Sequence, residues 1–149
     1  MTAPIQRVVG LGVAGWNAGT DLFLDVARRV VDDPSVHAEL WWVGRRSSGA
    51  ARWLDRDADL CGVAHRLRWV PGTELVLDEL ASVVCVVPAR DAEDRDRALE
   101  QVSGSSPVVS FALPGAPDPH GDRVDAVSFP DTRAMADRVR ALLDRTAAP

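Results

Sequence analysis

Apolar residues along this chain come in short unbroken runs, separated by longer stretches in which they recur every three or four positions. The first pattern predicts buried strands and the second predicts amphipathic helices. Arg7–Gly12, Ala38–Gly44, His65–Val70, Val83–Val87, Pro107–Ala112 and Ala126–Phe129 read as six strands. Val83–Val87 is apolar throughout, as expected of a strand covered on both faces. Between them, Leu22, Phe23, Val26, Ala27 and Val30 share one helical face, with Asp25, Arg28, Arg29 and Asp32 outside it. Thr20 is the expected N-cap of that helix, and Asp33-Pro34-Ser35 ends it. Further helices are expected over Ala50–Leu60, Glu74–Ser82, Glu93–Val102 and Thr132–Asp144. In the last, Met135, Val139, Leu142 and Leu143 line one face, and Arg145–Pro149 is expected to fray.

Strand and helix alternate from one end to the other. Short apolar strands joined by helices need right-handed crossovers, which give a parallel sheet with helices on both faces. The expected fold is α/β: a single Rossmann-like three-layer sandwich with a mostly parallel, about six-stranded sheet, occupying residues 1–149 as one domain. No internal repeat or low-complexity linker divides it. A chain of 149 residues can bury a substantial core without metal or disulfide.

Charge and cysteine content narrow the functional classes. All 17 basic residues are arginine, against 22 acids, for a net charge of −5. That balance disfavours non-specific nucleic-acid binding, which depends on clustered cations releasing phosphate counterions. No apolar run reaches the ~20 residues of a membrane span, and Met1–Arg7 has no apolar signal core. Cys85 lies inside an apolar strand and Cys61 beside a glycine, so both are expected as packed thiols in a cytoplasmic protein. His37, His65 and His120 lack metal-site spacing, and no metal or cofactor is expected. Ser103-Gly-Ser-Ser106 reads as a turn, not a nucleophile elbow.

Ligands of open parallel sheets bind beyond the carboxyl ends of the strands. Three loops lie there: Val13–Gly19, Pro88–Ala92 and Leu113–Asp118. In the first, Gly12, Gly15, Gly19 and Thr20 precede a helix N-terminus, where free N–H groups suit an anion. The spacing is neither the dinucleotide fingerprint nor a P-loop, and the glycines could equally serve only a tight turn. In the second loop, Asp91, with Glu100 further along the helix, could hold sugar or ribose hydroxyls, and Arg90 stands beside Asp91. The alternative is a solvated helix surface with i,i+4 pairs such as Glu93–Arg97.

Several segments, in order, resemble the C-terminal, nucleotide-sugar donor domain of group 1 retaining GT-B glycosyltransferases. They are Gly12-Val-Ala-Gly-Trp-Asn-Ala-Gly19, Trp41-Trp-Val-Gly44, His65-Arg-Leu-Arg-Trp-Val-Pro-Gly72, Pro88-Ala-Arg-Asp91 through Leu99-Glu100, Pro107-Val-Val-Ser-Phe111 and Asp131-Thr-Arg-Ala-Met-Ala-Asp. The resemblance covers Arg7 to Arg145 and implies a nucleotide-sugar site with Glu100 on ribose hydroxyls and Asp91 near the donor sugar. It also implies an arginine and a lysine on the first loop to neutralise the diphosphate. Val13 and Ala18 stand at those positions, and Ala92-Glu-Asp-Arg-Asp-Arg97 replaces apolar and glycine residues that approach the donor. Positive groups aimed at a leaving diphosphate supply several kcal/mol of rate acceleration, so their loss implies inactivity of the chain alone, with no catalytic residue assigned. The expected function is a site-degenerate, stand-alone donor domain lacking its acceptor half: a non-catalytic accessory or binding protein with at most weak nucleotide or nucleotide-sugar binding. The alternative is a donor-binding subunit of a split glycosyltransferase, with Arg45, Arg46 or Arg90 in place of the lost cations. An unrelated Rossmann-like domain for another small ligand is a third reading. The expected protein partner is a separate transferase half or a second copy, with Trp16 and Trp53 as exposed anchors.

Overall fold

A computed structural model of the chain describes residues 5–72, 83–102, 106–117 and 124–147. The expected helix Glu74–Ser82, His120 and most of the Ser103–Ser106 turn lie outside the described residues. The strands are β1 (Arg7–Leu11), β2 (Glu39–Val43), β3 (Leu67–Val70), β4 (Val83–Val87), β5 (Val108–Ala112) and β6 (Val124–Ser128). The helices are α1 (Thr20–Val31), α2 (Ser48–Leu60), α3 (Ala92–Glu100) and α4 (Thr132–Ala147). Every strand pairing is parallel, and the order is β3-β2-β1-β4-β5-β6. The sequence reading of a parallel six-stranded Rossmann-like α/β fold is the observed architecture.

Alternation along the strands divides the core in two. Val8, Leu40, Trp42, Val84, Val86, Val109 and Phe111 face α1, α2 and α4. Val9, Leu11, Trp41, Val43, Cys85, Val87 and Val108 face the other way, where α3 contributes Ala98. Gly10 sits between two large rings: a Cβ there would lie 2.4 Å from the Trp42 indole and 2.9 Å from the Phe23 ring. The missing side chain lets Trp42 lie across β1 and meet Phe23 edge-on at 5.3 Å.

Some local expectations change. Thr20 is the first helical residue of α1, and the N-cap is Gly19 at φ 71°, so the glycine turns the chain and the threonine hydroxyl is free for another bond. Residues Ala64–Arg66 form one 3-10 turn, which removes His65 and Arg66 from β3. Ser47 caps α2 by accepting from the Ala50 amide, so that helix begins two residues before Ala50. Helix α4 continues to Ala147 rather than fraying from Arg145. Trp53 is half-buried against the core, whereas Trp16 is 63% exposed. Cys85 is fully buried, and burial pushes the half-buried Cys61 thiol above its ordinary value. Among the described residues, no helix is long and apolar enough to cross a membrane.

Candidate functional site

β1 pairs with β2 on one side and β4 on the other, so the chain's winding reverses between β1 and β4. The loops that follow these two strands therefore flank the crevice where such sheets take ligands. They are pressed together. A Cβ on Gly19 would lie 1.8 Å from the Pro88 carbonyl oxygen, and the Arg90 amide donates to the Asn17 carbonyl at 2.8 Å.

The polar groups of this crevice satisfy one another. The Gly15 amide donates to the Thr20 hydroxyl at 2.9 Å, and the Thr20 amide returns to the Gly15 carbonyl at 3.2 Å. The Gly19 amide donates to the Trp16 carbonyl at 3.0 Å. Thr20 is fully buried. Above this closed loop, the Arg90 guanidinium makes a two-pronged bond to Asp21, at 2.6 and 2.8 Å. It also donates to the Trp16 carbonyl at 2.7 Å and lies 3.4 Å from the centre of the Trp16 ring. The Arg90 and Asp21 side chains keep only 16% and 23% of their exposure.

The structure thus places Gly15, Gly19, Thr20 and Arg90 together in this crevice, while Gly12, just past the end of β1, donates its amide to the Val43 carbonyl at 3.2 Å. The two acids behave differently. Asp91 caps α3, accepting from the Asp94 amide at 2.7 Å. Burial, then the neighbouring Asp91 carboxylate, raises the Asp94 carboxyl above its ordinary value. Glu100 is the last residue of α3 and is exposed. Nine helical steps at ~1.5 Å each separate it from Asp91 by about 13 Å along the axis. Glu93 and Arg97 pair at 2.7 Å on the solvent side. Of the two positions where the resemblance expects cations, Val13 is 57% exposed and Ala18 is buried.

Two residues of this region carried no sequence signal that we used. Asp21 reads as an ordinary acid in a helix's first turn. Arg95 is 1% exposed, with its Nε on Asp96 at 3.0 Å, one terminal nitrogen on the Pro117 carbonyl at 2.8 Å and the other without a partner among the described residues. It fastens α3 to the loop after β5. Its register with Ala92, Ala98 and Leu99, at three- and four-residue steps, was the available clue.

A second cleft of about 260 Å³ opens at the ends of β2 and β3, lined by Gly44, Arg45, Arg46, Trp69, Val70 and Pro71. Arg46 is held by Asp55 at 2.8 Å and lies over the Trp69 ring at 4.2 Å. Arg45 is exposed and makes no ion pair among the described residues.

Comparison with known proteins decides the family. Residues 6–145 match the family model described as glycosyl transferases group 1. The chain belongs to the group 1 glycosyl transferases. No curated protein matches it. Among solved structures, the C-terminal domain of the group 1 protein LpcC from Francisella tularensis superposes at TM-score 0.69 and 14% identity, covering 95% of this chain and 77% of that one. The lipopolysaccharide-biosynthesis glycosyltransferase WaaG gives 0.73 at 16% identity, covering 96% of this chain and 39% of WaaG. Anabaena HepE, solved with UDP, gives 0.72 at 14% identity, covering 95% and 40%. This group 1 domain therefore spans about two fifths of WaaG and HepE, and it has the fold of a C-terminal, donor-type GT-B half.

Proposed function

We propose that this chain is a non-catalytic accessory or binding protein built on a glycosyltransferase donor domain, with at most weak affinity for nucleotides or nucleotide-sugars. The observation that carries the reading is the Arg90–Asp21 pair across the switch-point crevice. A diphosphate entering there meets a guanidinium already neutralised by a carboxylate, and Gly15, Gly19 and Thr20 amides already bonded within the loop. Breaking one charge-assisted pair costs about 1.5–3 kcal/mol, which lowers affinity by roughly ten- to a hundredfold. Val13 and Ala18 supply no replacement cation. The exposed Val13 and Trp16 lie on the same loop and form the surface for a protein partner; aromatic anchors dominate such contacts.

Titration calorimetry with UDP, GDP, ADP and their sugars tests the reading. Dissociation constants in the millimolar range or weaker are expected, with no sugar hydrolysis or transfer. Micromolar binding, or turnover by the purified chain, ends it.

A second reading, the donor-binding subunit of a split glycosyltransferase, is favoured by the open cleft and its exposed Arg45, which has no ion-pair partner among the described residues. HepE was solved with UDP, and a nucleotide seated against Arg45 and Arg46 would bypass the closed loop. On that reading Arg45→Glu abolishes UDP binding, Glu100→Ala weakens it, and adding a separate acceptor half restores transfer.

A further inference from the structure

β3 is an edge strand, and its outer side carries main-chain groups that no other strand uses. The Gly44 amide donates to the Val70 carbonyl, so Val70 and, two residues back, Arg68 turn their polar groups toward β2. Leu67 and Trp69 then turn theirs outward. The Leu67 amide is taken by the Ala64 carbonyl of the preceding turn. That leaves the Trp69 amide, the Trp69 carbonyl and the Leu67 carbonyl without strand partners among the described residues.

A trough of about 760 Å³ follows this edge, lined by every residue from His65 to Trp69. Its two flanks differ. One presents the half-buried Leu67 and Trp69, which belong to the face packed by α1, α2 and α4. The other presents Arg68, resting 4.9 Å from the centre of the Trp41 ring, and Arg66 lines the trough from the 3-10 turn at the strand's start; neither makes an ion pair with any described carboxylate. The trough's single acid, Glu39, accepts from the Trp41 indole at 2.8 Å and lies 3.7 Å from Arg7. In a chain of net charge −5, this edge is locally cationic.

We propose that the β3 edge is a docking site for an extended acidic segment of a partner protein, which adds to the sheet as a seventh strand. The fit prescribes its pattern. Apolar side chains on one face of the incoming strand cover Leu67 and Trp69, Asp or Glu on the alternate face meets Arg68, and a further acid at the end of the segment meets Arg66 in the preceding turn. A second copy of this chain is the wrong occupant, because pairing two β3 edges brings two arginine-bearing edges together with no acid on either strand to offset them. The proposal concerns a different surface from the nucleotide crevice and stands apart from the function proposed above.

A labelled synthetic peptide of alternating valine and glutamate tests it by fluorescence polarisation with the full chain. Saturable binding is expected, weakened at least tenfold by Arg66→Glu with Arg68→Glu, both surface changes that circular dichroism should show to be folded. The same peptide N-methylated at alternate residues lacks the inward-facing amides and should bind at least tenfold more weakly. A valine–lysine peptide should prefer the double variant to the parent. Absence of saturable binding, or binding indifferent to the double substitution, overturns the proposal. N-methylated peptide binding as well as its parent, with short-chain polyphosphate competing, reveals a plain polyanion site instead. Self-association abolished by the double substitution assigns the edge to a second copy.

Discussion

Two loops at the same end of one sheet have opposite characters. After β1, the chain folds in on itself: glycine amides bond to the threonine hydroxyl and carbonyls, and Arg90 is spent on Asp21. After β2, a cleft stays open, with Arg45 exposed. Both are glycine-bearing strand ends facing a helix, so backbone geometry alone does not decide which one accepts a ligand. What differs is the local count of complementary charges. The first site contains the carboxylate that cancels its cation, and the second, among the described residues, contains Arg45 beyond the Arg46–Asp55 pair.

The severest test of that contrast is Gly19→Val. A side chain at φ 71° pointing into the Pro88 carbonyl breaks the join between the β1 and β4 loops and costs about 3–5 kcal/mol, read from urea denaturation. Next is Arg90→Ala. It strands a largely buried Asp21 and should cost about 2 kcal/mol; a change below about 0.5 kcal/mol would show that the clamp is decorative and the loop closed by glycine geometry alone. The third prediction supplies a yardstick one turn further along the same helix. Burial alone would raise the Asp25 carboxyl, but bonds from Thr132, Arg28 and Arg29 outweigh it and hold its pKa at about 2 against an ordinary 3.8. Because the folded value is the lower one, this stability is full above pH 4 and is lost as pH falls through 3.8 toward 2. The carboxylate is 31% exposed, and solvent screening reduces its contribution to about 1 kcal/mol. Thr132→Val should flatten that acid limb of the stability profile. The smallest structural effect belongs to Arg45→Ser, expected to change stability by less than about 0.5 kcal/mol, while removing whatever UDP affinity calorimetry finds in the open cleft.

The sequence carried the layout well. Six apolar runs and the helical spacing of Phe23, Val26, Ala27 and Val30 follow from burial, and burial is what periodicity records. The site was less legible. Arg90 was singled out as a candidate ligand group, but its partner Asp21 lies 69 residues away, and nothing local marks two side chains that meet only when β1 and β4 become neighbours. Asp91 looks like a sugar-binding acid and equally like an N-cap, and the Asp94 amide shows which local bond it makes. Arg95 is harder still. A charged residue among Glu93, Asp94 and Asp96 reads as solvent-facing; its helical register with Ala92, Ala98 and Leu99 hints at burial, but the Pro117 carbonyl that receives it is visible only in the fold.

The seam between the two loops has a kinetic consequence. The amides of Gly12 and Ala14 donate across it to the carbonyls of Val43 and Arg45, and the Trp42 indole donates to the Gly12 carbonyl. These protons can reach solvent only when the closed loop and the rim of the open cleft part together. Deuterium should enter both amides at one shared rate, slowed in concert by anything that settles into either loop.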